Sequence, residues 1–164
     1  MLRAEPSSGG ELVRLRDVID ADLPILYEHQ CDPIANLMAA FPARDRDAFF
    51  AHWAKILVDP TVTTKTILFD GQVVGRIGSF EHNGERLVGY WIDRGFWGNG
   101  ITSRALAEFL KCDTTRPLHA RVAKHNVASI RVLVKCGFSI CGEDKTAAET
   151  GGEKVEEWIL KLDG

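Results

Sequence analysis

No apolar run in this chain approaches the roughly 20 residues needed to cross a membrane. Met1 to Gly10 also lacks the apolar core of a signal peptide. The expectation is a cytoplasmic protein with no membrane contact. There is no excess of positive charge. Lys and Arg number 20 against 23 Asp and Glu, for a net charge of -3, so no basic field is present to attract nucleic acid. The four cysteines (Cys31, Cys112, Cys136, Cys141) form no C-x-x-C, and no metal-ligand spacing joins them to histidine. They read as reduced, mostly buried thiols, with no metal. No internal repeat, low-complexity tract or interdomain linker breaks the 164 residues. A flexible tail over 1–10 followed by one domain over 11–164 is the simplest division.

What is present reads as an alternation of helices and strands. Glu11 to Arg16 alternates as a first strand. Asp20 caps a helix with Pro24 in its first turn, running to about Gln30. Cys31 to Arg44 reads as irregular, punctuated by Pro33 and Pro42. Asp45 or Asp47 caps a second helix, which places Phe49, Phe50, Trp53, Ile56 and Leu57 on one face. Thr63 to Phe69, Gln72 to Glu81 and Glu85 to Asp93 are three strands joined by the hairpin dipeptides Asp70-Gly71 and Asn83-Gly84. They form an antiparallel meander. A helix from Ile101 turns Ala105, Leu106, Phe109 and Leu110 to one side. Leu118 to Val122 is a short strand. Asn126 caps a helix with Ile130, Leu133 and Val134 inward, and Gly137 ends it. Strands from Phe138 and from Val155 to Leu162, with a turn at Gly151-Gly152, close the chain. The order is β-α-α-β-β-β-α-β-α-β-β.

The stretch Gly95-Phe96-Trp97-Gly98-Asn99-Gly100-Ile101-Thr102 joins the third meander strand to a helix. Its glycines let the backbone approach a ligand closely. The amides that open the helix have no intrahelical partner and sit at the positive end of its dipole. Such a junction suits an anion, most often phosphate. A dinucleotide fold would need a parallel strand before the loop and a Gly or Ala where Ser103 stands. A P-loop would need G-x-x-x-x-G-K-[ST], which is absent.

Two stretches together carry a family resemblance. Val88-Gly89-Tyr90-Trp91-Ile92 followed by Phe96-Trp97-Gly98-Asn99-Gly100-Ile101 resembles the central strand and pyrophosphate loop of the GNAT superfamily of N-acetyltransferases. Asn126-Val127-Ala128-Ser129 through Gly137-Phe138 resembles the N-x-x-S helix and G-F turn of its ribosomal-protein-type (Rim-like) branch. The resemblance spans about Glu11 to Leu162. It implies an α+β fold with three layers (α/β/α). The central sheet would be mixed and mostly antiparallel, with a V-shaped splay between the fourth and fifth strands. It also implies acetyl-CoA as co-substrate and a primary amine as acceptor, either a protein N-terminus or a small molecule. A homodimer is frequent in the family. The charge bias is too small to choose among amines.

The resemblance further assigns roles. Pyrophosphate would sit on Trp97, Gly98, Asn99, Gly100, Ile101 and Thr102. Pantetheine and the thioester oxygen would meet the backbone of Trp91, Ile92 and Asp93. Asn126 would cap its helix and touch the cofactor. An attacking amine must be neutral although its ordinary pKa lies near ~10.4, so a base is required. Glu85 is the candidate, with Glu81 beside it. Ser129 would give the leaving thiolate its proton. Asn36, Phe41 and Tyr90 are candidates to line the acceptor site, with Arg44 nearby, while His119 and His125 read as structural. Two positions depart from the family pattern. Gly95 stands where Gln or Arg opens the phosphate motif, with Arg94 or Arg104 as helpers. Leu133 stands where many members carry a tyrosine acid. That second departure leaves open a silent acyl-CoA-binding sensor as the alternative to an enzyme.

Overall fold

The computed structural model describes residues 12–145 and 155–164. The expected N-terminal tail and the turn at Gly151-Gly152 lie outside them. Seven strands, β1 (Val13–Asp17), β2 (Thr63–Phe69), β3 (Gln72–His82), β4 (Glu85–Ile92), β5 (Leu118–Ala123), β6 (Ser139–Asp144) and β7 (Glu157–Leu162), form one sheet in the order β1-β2-β3-β4-β5-β7-β6. All neighbours are antiparallel except β4 and β5.

The meander follows from its turns. Asp70 and Gly71 have φ of 50° and 83°, and Asn83 and Gly84 have 51° and 80°. Two successive positive φ values define the tight turn whose twist matches antiparallel strands. His82 therefore lies opposite Glu85, and the register runs without a shift to Gly75 opposite Ile92. That unbroken register fixes which side of β4 each residue faces.

Helices cover both faces. α1 (Leu23–Gln30) and α3 (Arg46–Leu57) bury Leu23, Leu26, Phe49 and Trp53 on one side. On the other side α4 (Ile101–Cys112) buries Ile101, Ala105, Leu106 and Phe109, and α5 (Val127–Lys135) buries Leu133. The expected inward residues hold for α4. Val134 of α5 instead points out, half exposed. The helix has only nine residues, so its inner stripe is Ile130 and Leu133, and Phe138 fills the next place after Gly137. Leu57 likewise lies at the exposed end of α3.

Two further expectations need correction. The segment 31–44 contains α2 (Pro33–Ala39), whose cap Asp32 accepts from the Ile34 amide. Pro33 occupies the first helical position, where no intrahelical N–H is needed, so it starts a helix rather than interrupting one. The cysteines are free, but Cys112 and Cys141 are exposed and Cys31 and Cys136 only half-buried. Cys112 ends α4, and Cys141 sits at the irregularity between Ile140 and Gly142 in β6.

One buried polar knot anchors α1 to the sheet. Asp22 is 2% exposed and accepts from Arg16 at 2.7 and 2.9 Å, from the Ile19 amide at 3.0 Å and from Thr66 at 2.7 Å. Burial alone would raise its carboxyl pKa; the Arg16 bond, the Ile19 amide and Thr66 outweigh it and hold the pKa below the ordinary 3.8. Its contribution is thus present above pH 3.8 and is lost as pH falls through the depressed folded value. Asp22→Ala strands three donors, and Arg16 can still reach water. We expect a loss of about 2–3 kcal/mol, read from the urea midpoint at pH 7 and shrinking as pH falls through the depressed folded value.

Candidate active site

β4 and β5 run parallel and separate almost at once. Among the described residues a single pair, Leu87 and His119, joins them. Beyond it the strands diverge around a cavity of about 520 Å³, lined by Val88 to Ile92 on one wall and Ala120 to Ala123 on the other. This is the V-shaped splay expected of the fold. α2 covers one side through Ala35, Met38 and Ala39, and α5 the other through Asn126 to Ser129, Val132 and Leu133.

Backbone groups alternate sides along a strand. The Asp93 amide donates to Val74 on β3 at 2.8 Å. Trp91 shares that side, and its carbonyl crowds Gly75. Tyr90 and Ile92 therefore turn their N–H groups to the open splay. Of the three residues 91–93, only Ile92 presents its amide there, and Tyr90 joins it. The Ile92 carbonyl is occupied by the Trp97 indole N–H at 3.0 Å. That bond folds the loop back over the end of β4.

The loop itself is a short 3₁₀ turn, Arg94–Phe96, followed by Gly98 and Gly100 at φ of 81° and 73°. Gly100 caps α4 with no side-chain hydrogen bond. Among the described residues the amides of Gly98, Asn99 and Gly100 donate to no backbone carbonyl. The first amides of α4, from Ile101 on, have no carbonyl four residues back within the helix. Asn99 spends its side chain on the Phe96 and Trp97 carbonyls. Arg104 lies across the loop, donating to the Asn99 carbonyl at 3.0 Å. Arg94 is held by Asp32 at 2.6 Å and so braces α2 rather than facing the loop amides.

At the α5 wall, the Asn126 side chain caps the helix by accepting from the Ser129 amide at 3.3 Å. Ser129 Oγ lies 2.6 Å from the Tyr90 hydroxyl. Burial pushes the Tyr90 phenol up to about 12, against the opposing effect of the Ser129 bond. Tyr90 therefore stays protonated at any working pH. No sequence signal announced this contact, since the partners stand 39 residues apart.

The cavity gathers Tyr90, Trp91, Ile92, Trp97, Gly98, Gly100, Ile101, Thr102, Asn126 and Ser129 from the sequence-predicted set. Asp93, Asn99, Asn36 and Phe41 lie outside its lining. Asp93 turns its carboxylate to the Gly95 amide, and Asn36 donates to the Gln30 carbonyl. Glu85 stands at the closed end of the splay, 3.6 Å from His119. Glu81 is farther along the hairpin and pairs with Arg86 at 3.4 Å. Arg121, His125 and Glu157 line the cavity but were not picked out from the sequence as site residues. Glu157 is held by Arg121 at 3.1 Å. Its place depends on β7 pairing with β5, which local sequence does not encode.

Comparisons with known proteins agree with this geometry. The family model described as an acetyltransferase (GNAT) domain matches residues 13–139. The chain therefore belongs to the GNAT acetyltransferase family. Its fold is similar to that of a spermidine N-acetyltransferase from Vibrio cholerae in complex with CoA and spermine, with a TM-score of 0.81 at 14% identity over 92% of this chain and 95% of that one. A GNAT-family acetyltransferase from Bacillus anthracis gives 0.79 at 16% identity, over 92% and 94% of the two chains. One from Streptococcus pneumoniae gives 0.72 at 15% identity, over 93% and 100%. No curated protein matches the chain at significant similarity.

Proposed function

We propose that this chain is an N-acetyltransferase that moves the acetyl group of acetyl-CoA directly to a primary amine within a ternary complex. The observation that carries this reading is the splay of β4 from β5, open beside a loop of unpaired amides. Acetyl-CoA supplies an activated thioester carbonyl. The loop amides at 98–102 hold its pyrophosphate, with Arg104 alongside. The N–H groups of Tyr90 and Ile92 meet pantetheine and the carbonyl oxygen as negative charge grows there. Glu85 takes the amine proton through water. Ser129, supported by the protonated Tyr90, gives a proton to the departing sulfur. This hydroxyl pair stands in for the family tyrosine replaced by Leu133. Binding of CoA and a polyamine by a protein of the same fold supports the amine reading. The Asn126–Phe138 match supports placement beside the ribosomal-protein-type branch.

The test is release of free thiol from acetyl-CoA across peptides, polyamines, aminoglycosides and amino acids. Release that depends on one class of amine is the expected result. Silence across the panel despite tight CoA binding would instead make the chain a sensor. Glu85→Gln should lower kcat about 100-fold and Ser129→Ala about 10-fold, with CoA affinity retained in both. An unchanged kcat in Glu85→Gln would remove Glu85 from the base role.

A further inference from the structure

Arg76 lies on β3, directly opposite Trp91 on β4. Trp91 forms part of the cavity wall, and its indole is fixed by donating to the His29 carbonyl at 3.2 Å. Cross-strand neighbours have Cβ atoms about 5 Å apart, so the Arg76 side chain rises beside Trp91 on the same face of the sheet, one strand in from the splay. It is half-buried beneath α3, with its guanidinium 5.9 Å from the centre of the Trp53 ring. Among the described residues it has no hydrogen bond and no ion pair. The arginines that hold the fold differ in this respect. Arg16, Arg86 and Arg121 each reach a carboxylate.

The surroundings add positive charge rather than cancel it. Burial, and then the like charge of Arg44, push the Arg76 guanidinium down to about 10. Arg44 rests on the Phe41 ring at 5.4 Å and likewise has no carboxylate partner among the described residues. His52, next to Trp53 on α3, is lowered by burial and then by Arg44, Arg76 and Lys55. Two guanidinium groups and an imidazole thus lie close enough to repel one another, and neither arginine has a carboxylate partner among the described residues, in a chain whose net charge is -3. Burying an unpaired charge is costly. An anion that reached these groups would offset that cost.

We infer that Arg76, with Arg44 near it, binds an anionic group, a carboxylate or phosphonate, carried by the amine acceptor. The acceptor is then an amino acid or another acid-bearing amine, with its amine in the splay and its acid on Arg76. A polyamine would bring the wrong charge. The inference rests on the acetyl-transfer reading above, and its test separates the two.

The test is calorimetric titration of the CoA complex with two N-acetylated acids of different reach, N-acetylglycine and N-acetyl-4-aminobutyrate, against uncharged N-methylacetamide. The better acid should bind at least about 10-fold more tightly than the amide. Arg76→Gln should remove that preference, Arg44→Gln should weaken it, and Arg76→Lys should keep part of it. CoA affinity on the same samples reports whether each variant is folded. Equal binding of acid and amide, or a preference that survives Arg76→Gln, overturns the proposal. Inorganic phosphate that binds through Arg76 without displacing the acetylated acid also overturns it, because Arg76 would then hold a free anion. Thiol release confined to polyamines overturns it while the acetyltransferase reading stands. Silence across all amines, with the acid still bound through Arg76, overturns the acetyltransferase reading instead.

Discussion

Gly100→Asp should weaken CoA binding about 100-fold, close to 2.7 kcal/mol, while leaving the protein folded. Gly100 caps α4 at φ 73° and has only Arg104 Nη2 within 3.9 Å of where a Cβ would stand. Space is thus not the obstacle. Aspartate enters the left-handed region more readily than most residues and is a favoured helix cap, so α4 should form. What changes is the charge. A carboxylate would sit among the amides of residues 98–102, where the pyrophosphate belongs. It would repel the ligand and compete for its donors. Gly100→Ala isolates the conformational part and should cost only a few-fold. Calorimetry with CoA distinguishes the two. Equal effects of Ala and Asp would mean that strain, not charge, governs the loop.

Gly75→Ala should destabilise the protein by about 3 kcal/mol or more, beyond the usual range for one added methyl. A Cβ at Gly75 would lie 2.2 Å from the Trp91 carbonyl oxygen and 3.1 Å from Ile92 Cα. Both are backbone atoms, so no rotamer change relieves the clash. β3 must move against β4 exactly where β4 begins to form the cavity wall. The loss should therefore appear twice, as a melting temperature lowered by about 6–12 °C and as weakened CoA binding. Gly71→Ala, in the hairpin turn at φ 83° with nothing within 4 Å, strains only that turn and should cost less. A Gly75→Ala protein as stable as the parent would show that the close approach of β3 and β4 is not required.

The parts of this fold that the sequence reveals are those determined locally. Asp70-Gly71 and Asn83-Gly84 fix two hairpins, and through them the strand that carries Tyr90 and Ile92. Asp45 and Asn126 mark helix starts because their side chains accept from amides three residues on. Gly98 and Gly100 mark the loop because only such residues turn that sharply at little cost. The parts that stay hidden depend on distant pairing or on ambiguous punctuation. Pro33 signals a stop as readily as a first helical turn, and so α2 is missed. Arg121 and Glu157 come together through the β5–β7 ladder. Tyr90 meets Ser129 across the splay. The unpaired state of Arg76 is a property of its neighbours, and no pattern around residue 76 announces it.

The most direct test of the central claim is a calorimetric comparison of acetyl-CoA, NAD and ATP on the intact protein. The structure predicts one acetyl-CoA site per chain, weakened about 100-fold in Gly100→Asp, and no measurable heat from NAD or ATP. Binding of NAD or ATP with no binding of acetyl-CoA would contradict the assignment of the splay and its loop.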